Sequence, residues 1–193
     1  MLDKYGRNID YLRISLTDRC NLRCVYCMPE EGIHQIPRTE ILDTDEIVRV
    51  CRVASELGIS KIKLTGGEPL VRKICIPLVK ELKALPGISE VTLTTNGILL
   101  AEQLPELMKA GLDAVNISLD TLAAETFERI TRRSALPQVL QGLEKALSYP
   151  SLKVKVNCVP TFQPEADLIQ IAGLARENLL HVRFIEMMPI GLG

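Results

Sequence analysis

Six short strand-like segments, each but the last followed by a stretch of helical periodicity, restrict the fold of this 193-residue chain more than any other feature. The segments are 11–17 (YLRISLT), 61–65 (KIKLT), 90–95 (EVTLTT), 114–119 (AVNISL), 153–159 (KVKVNCV) and 182–187 (VRFIEM). Between them the spacing of apolar residues predicts helices near 44–57, 77–85, 101–110, 122–131, 137–148 and 165–177. Asp43 or Thr44 can cap the first helix and Gly58 ends it. Pro77 suits a first turn, and Gly111 stops the helix before the fourth strand. Repeated βα units of this kind imply a parallel sheet with right-handed crossovers. No low-complexity linker or internal repeat interrupts them, so a single domain over 1–193 is expected.

The strands carry a second pattern. Parallel strands covered on both faces usually read as unbroken apolar runs. Here Arg13, Ser15 and Thr17 alternate with Leu12, Ile14 and Leu16, and Lys61, Lys63 and Thr65 alternate with Ile62 and Leu64. Thr92 and Thr94, then Asn116, Ser118 and Asp120, then Lys153, Lys155 and Asn157 continue it. A period of two puts each polar set on one face. Buried polar groups without partners are costly, so the polar face must line something wet or ligand-filled. An α/β sheet curled into an incomplete (β/α)6 TIM-like barrel with a polar lumen satisfies this; a sheet with one face open to solvent is the alternative.

Three of the six cysteines, Cys20, Cys24 and Cys27, lie within eight residues on the loop after the first strand, while Cys51, Cys75 and Cys158 are scattered. A long α/β sequence is not a small disulfide scaffold. The scattered three read as buried hydrophobes. The clustered three sit where parallel folds place their active sites, beyond the C-terminal end of a strand. A closed zinc site wants four ligands, and an iron–sulfur cluster takes cysteines. Three thiolates would leave one iron open to a ligand; zinc completed by a remote Cys or His is the other reading. A net charge of −1 argues against a large nucleic-acid footprint. No apolar run is long enough to span a bilayer, and the first residues lack a signal-peptide pattern, so a cytoplasmic, reducing setting without a membrane partner is expected.

The loop Cys20-Asn-Leu-Arg-Cys24-Val-Tyr26-Cys27 resembles the signature of the radical S-adenosylmethionine (SAM) superfamily, and Thr65-Gly66-Gly67-Glu68-Pro69 resembles its glycine-rich methionine-binding motif. Within that superfamily the chain is similar to the GTP 3′,8-cyclase family. The similarity rests on LRISLTDR before Cys20, MPEEG after Cys27, TTNG at 94–97, NISLDT at 116–121, KVN at 155–157 and RFIEMMP at 183–189. The resemblance implies that Cys20, Cys24 and Cys27 bind a [4Fe–4S] cluster. By the same resemblance Tyr26, Gly67, Ser118 and Met188 contact S-adenosylmethionine, and Arg13, Lys63, Thr94 and Lys155 contact GTP. Position 63 departs from the arginine expected there, keeping the charge without the bidentate fork.

The implied activity is a lyase: GTP becomes (8S)-3′,8-cyclo-7,8-dihydroguanosine 5′-triphosphate, the first step of molybdenum cofactor biosynthesis. An electron donor and a homodimer are further expectations. Members of that family run on past the sixth strand into a second cysteine trio that binds the guanine base. The expectation is therefore a complete S-adenosylmethionine half and an incomplete GTP half. Another radical enzyme acting on a peptide or small molecule, or a non-catalytic cluster-binding protein, remain the rival readings.

Overall fold

The structure, a computed structural model, describes residues 2–187. Six strands form one sheet: β1 (Tyr11–Ser15), β2 (Lys61–Thr65), β3 (Glu90–Thr95), β4 (Ala114–Ser118), β5 (Lys153–Cys158) and β6 (His181–Phe184). Their order is β1-β2-β3-β4-β5-β6 and every neighbouring pair is parallel. Helices α1 (Thr44–Glu56), α2 (Cys75–Lys83), α3 (Leu100–Ala110), α4 (Ala124–Thr131), α5 (Leu136–Leu147) and α6 (Glu165–Glu177) fill the crossovers. β1 and β6 do not pair, so the barrel is incomplete, as expected.

Local chemistry explains the element bounds. Asp43 accepts from the Glu46 N–H at 2.9 Å while Glu46 accepts from the Asp43 N–H at 2.8 Å, a reciprocal cap that starts α1 at Thr44. α2 begins at Cys75, two residues before the expected Pro77. Pro77 is third in the helix, where an N–H has no intrahelical acceptor to lose. β1 stops at Ser15 instead of reaching residue 17. The Leu16 N–H still donates to Thr65 O at 2.8 Å, but beyond it the chain leaves the ladder for the cysteine loop. β6 ends at Phe184 rather than 187 after a last bond from the Ile185 N–H to Cys158 O at 2.8 Å.

The helix-facing side of the sheet is the core. Ile62, Leu64, Val91, Leu93, Val115, Ile117, Val154 and Val156 are buried there. Leu78, Leu82, Leu100, Leu104, Leu107, Val139 and Leu143 from α2, α3 and α5 join the same cluster. Burying each such side chain stabilises the fold by about 1.5–3 kcal/mol before chain entropy is counted.

The other face carries the polar residues in register. Arg13 pairs with Lys63, Lys63 with Thr92, and Thr92 with Ala114. Thr94 pairs with Asn116 and Asn116 with Lys155, while Ser118 pairs with Asn157 and Asn157 with Arg183. Arg183 on β6 and Lys155 on β5 are both near enough to Lys63 on β2 to hold its pKa down. In a flat sheet β2 and β6 would stand roughly 19 Å apart, four strand spacings of about 4.8 Å. The sheet therefore curls, and its polar face is the concave one.

Candidate active site

The cysteine loop leaves the C-terminal end of β1 and is held by the ends of four other elements. The turn after β2 holds its first part: the Gly67 N–H donates to Thr17 O at 2.6 Å and the Glu68 N–H to Arg19 O at 2.8 Å. A side chain on Gly67 would run into the carbonyl of Arg19, and one on Gly66, at φ +146°, would press on Thr17. This revises the reason for the paired glycines. They first make room for the backbone leading to Cys20, and only the exposed side of Gly67 remains open to a ligand.

The end of α4 holds the second part. The Arg23 N–H donates to Thr131 O at 3.0 Å and the Val25 N–H to Ile130 O at 2.9 Å. Arg132 adopts the left-handed conformation at φ 56°, and its guanidinium donates to Arg23 O and Met28 O at 2.9 and 3.1 Å. Leu22 and Met28 are buried beneath the loop. The N–H groups of Cys27 and Met28 both donate to Cys24 O at 2.9 Å, winding a helical turn between the last two cysteines.

Tyr26, predicted as an S-adenosylmethionine contact, has its hydroxyl committed: it donates to Asp120 Oδ2 at 2.7 Å. A ligand can therefore meet its ring or backbone but not a free hydroxyl. Asp120 follows β4, is buried, and accepts from the Val159 N–H through Oδ1 at 2.8 Å. Burial pushes its carboxyl above the usual range, outweighing those two donors. Glu68, in the turn after β2, is 1% exposed and accepts from Thr95 Oγ1 and the Asn96 N–H at the end of β3, at 2.8 and 2.7 Å, and from the Leu70 N–H at 3.0 Å. Three donors of the protein hold both of its oxygens, so it ties the end of β2 to the end of β3. Asn96 in turn reaches the loop at Asn21 and Cys20.

All six cysteines are free thiols. Burial raises Cys20, and it pushes Cys24 up to about 12 with further contributions from Asp120, Cys20 and Cys27. The three loop sulfurs are thus near enough to resist each other's ionisation, and a cationic group bound among them would relieve that repulsion. Among the described residues no three His, Cys, Asp or Glu side chains converge as a grip for one metal ion. Thiolates are the ligands of iron–sulfur clusters, and an all-thiol set on one loop, with Cys27 exposed, fits such a group. Cys51, Cys75 and Cys158 are buried elsewhere, as expected.

Below this rim, the concave face gathers Arg13, Lys63, Lys155 and Arg183. Burial, followed by Arg13, Arg183 and Lys155, lowers the Lys63 pKa, with Glu90 opposing. Thr94 and Ser118 lie half-buried on the same face. Asn157 Oδ1 is buried there without a hydrogen-bond partner among the described residues. Such an orphaned acceptor between Ser118 and Arg183 fits a polar ligand in the lumen. The structure thus brings together Cys20, Cys24, Cys27, Tyr26 and Gly67 at the rim, with Ser118, Arg13, Lys63, Thr94 and Lys155 on the adjoining face. Met188 lies outside the described residues. Arg183 and Asn157 escaped the sequence-based site list, although the same two-residue count places them on this face. Asp120, Glu68 and Asn96 escaped it because their roles depend on which strand ends become neighbours.

Known proteins resemble this chain in sequence and in fold. The profile of the radical SAM superfamily matches residues 14–175. A GTP 3′,8-cyclase of Desulforamulus reducens is 50% identical over 192 residues, covering 99% of this chain and 59% of that protein. A GTP 3′,8-cyclase of Moorella thermoacetica is 51% identical over 193 residues, again 99% of this chain and 59% of its own length. The chain thus spans about three fifths of the curated relatives it matches. Among solved structures, Streptococcus suis SuiB bound to S-adenosylmethionine superposes with a TM-score of 0.72 at 21% identity, covering 94% of this chain and 41% of that one. That likeness concerns the fold alone. With a matched profile running from β1 into α6 and a three-thiol loop on the strand-end rim, the chain belongs to the radical S-adenosylmethionine superfamily.

Proposed function

We propose that this chain is the radical-generating core of a GTP 3′,8-cyclase, the enzyme that forms (8S)-3′,8-cyclo-7,8-dihydroguanosine 5′-triphosphate in molybdenum cofactor biosynthesis. The observation that carries the reading is the position of the three thiols. They stand at the strand-end rim of a concave face bearing Arg13, Lys63, Lys155 and Arg183, so a redox centre held there would adjoin a site suited to a polyanion. Cys20, Cys24 and Cys27 would hold a [4Fe–4S] cluster, which when reduced supplies the electron that cleaves S-adenosylmethionine to methionine and a 5′-deoxyadenosyl radical. Gly67 offers exposed backbone to the methionine end. Tyr26, Ser118 and Met188 are assigned to the rest of S-adenosylmethionine.

Arg13, Lys63 and Lys155 are assigned to the GTP triphosphate and Thr94 to the nucleoside. Their charge-assisted bonds would orient the ribose 3′ carbon toward the rim. The helix-covered sheet excludes water from one side of the lumen, which protects a radical from quenching. Electrons come from an external donor. The similarity to the two cyclases, at about half identity over nearly the whole chain, supports this substrate over other radical chemistry.

Anaerobic reconstitution tests it. The chain should take up about four irons and show the broad visible absorption of a [4Fe–4S] centre. Each of Cys20→Ala, Cys24→Ala and Cys27→Ala should abolish the absorption, whereas replacing Cys51, Cys75 and Cys158 together should preserve it. The reduced protein should release 5′-deoxyadenosine from S-adenosylmethionine. Tight zinc uptake by the loop with no affinity for iron would sink the reading.

A further inference from the structure

Asn96 stands at the tip of β3, 76 positions from Cys20 in sequence, and its side chain ends at the first cysteine of the loop. Its Oδ1 accepts from the Ile98 N–H at 3.1 Å, and that bond decides which way round the amide lies. The NH2 group must then face the loop. It donates to Asn21 Oδ1 at 2.7 Å and lies 3.8 Å from Cys20 Sγ. The backbone of Asn96 is fixed as well, because its N–H donates at 2.7 Å to the buried carboxylate of Glu68. A residue held at both side-chain polar atoms and at its backbone N–H has little freedom to turn its donor away. The Leu22 N–H, 3.4 Å from the same sulfur, is a second donor to it.

We infer that Asn96 is a positioning residue that sets the reduction potential of the centre bound by Cys20. The inference rests on the cluster reading of the cysteine loop. A donor dipole aimed at a ligating sulfur favours the state in which that sulfur carries more negative charge, here the reduced one. The Glu68–Asn96 link also ties the sulfur to β2 and β3, so Cys20 is located by the sheet as well as by its own loop. Nothing in the position of Asn96 along the chain predicts this role; it follows from the neighbouring ends of β1 and β3 on the rim.

The test is a potentiometric titration of the reconstituted protein followed by electron paramagnetic resonance, with Asn96→Ala and Asn96→Asp beside the unaltered chain. Asn96→Asp keeps the size and the acceptor for Ile98 while replacing the donor with a negative oxygen. The midpoint should become more negative in Asn96→Ala and more negative again in Asn96→Asp. A cluster lost from Asn96→Asp while its circular dichroism stays native would equally support the positioning role. A purely structural residue would lower the melting temperature and leave the midpoint where it was. Equal midpoints across the series, or loss of the native fold in both variants, overturns the inference. Absence of iron uptake by the unaltered chain overturns the cluster reading itself, which the titration therefore distinguishes from a failure of Asn96.

Discussion

At the scale of single residues, the site depends on polar side chains that hold the cysteine loop without belonging to its motif. Tyr26 and Asp120 are 94 positions apart, yet their 2.7 Å bond fastens the aromatic residue before Cys27 to the end of β4. Tyr26→Phe removes the hydroxyl and leaves Asp120 Oδ2, in a residue only 7% exposed, without its donor. An unmet buried acceptor costs about 1–3 kcal/mol. Urea denaturation of the cluster-free chain should register a loss of that order. Asp120→Asn should cost less, because one amide oxygen still accepts from the Val159 N–H. A Tyr26→Phe chain as stable as the original would show that the hydroxyl is held by solvent instead. The cysteine spacing was readable because metal ligation is written locally, over eight residues. The supporting shell of Asp120, Glu68 and Asn96 was not, because it arises only when strand ends meet.

At the scale of elements, two glycines in helices separate propensity from packing. Gly142 in α5 has the carbonyl of Gly97 only 2.6 Å from where a Cβ would stand, with Leu100 Cβ at 3.2 Å, so α5 crosses the β3–α3 turn at backbone contact. Gly173 in α6 has nothing within 4 Å of the same position. Glycine to alanine in a helix interior is worth about 1 kcal/mol by propensity. Gly173→Ala should gain up to that amount in a thermal melt. Gly142→Ala should lose stability, because Gly97 cannot move without disturbing Asn96. A gain at both positions would show that α5 can slide away from the turn at no cost.

Periodicity and turn residues placed all twelve elements within a few residues, since amphipathic spacing is a local record of which side faces the core. The errors fell at element ends, those of β1 and β6 where bonds to other elements decide the bounds. β1 yields two residues to the cysteine loop, α2 starts ahead of its proline, and β6 loses its last three positions after the bond to Cys158.

At the scale of the whole molecule, curling the sheet brings four cations from distant parts of the sequence to one concave face. This assembly has a cost in the ligand-free protein. Lys63 is held below its ordinary pKa of 10.5, by burial first and then by Arg13, Arg183 and Lys155. The unfolded chain therefore binds more protons at this residue than the folded one between the lowered value and 10.5. Stability rises with pH across that window and is diminished below it, at neutral pH. Lys63→Gln removes the repelled charge, so the ligand-free variant should melt higher than the original at pH 7. The difference should shrink as pH approaches 10.5. If this face is the proposed triphosphate site, the same substitution acts there in the opposite sense, removing a charge-assisted contact of about 1.5–3 kcal/mol and weakening binding roughly tenfold to a hundredfold. Raising salt should weaken triphosphate binding by the original chain more than by the variant, because the field of the cluster is screened. Calorimetric titration of inorganic triphosphate, paired with melts across pH, reads both signs in one pair of proteins. A lumen that evolved only to be solvated would give the stability gain with no loss of affinity; a triphosphate site gives both, and the stability it forgoes when empty returns as binding energy when the phosphates neutralise Arg13, Lys63, Lys155 and Arg183 together.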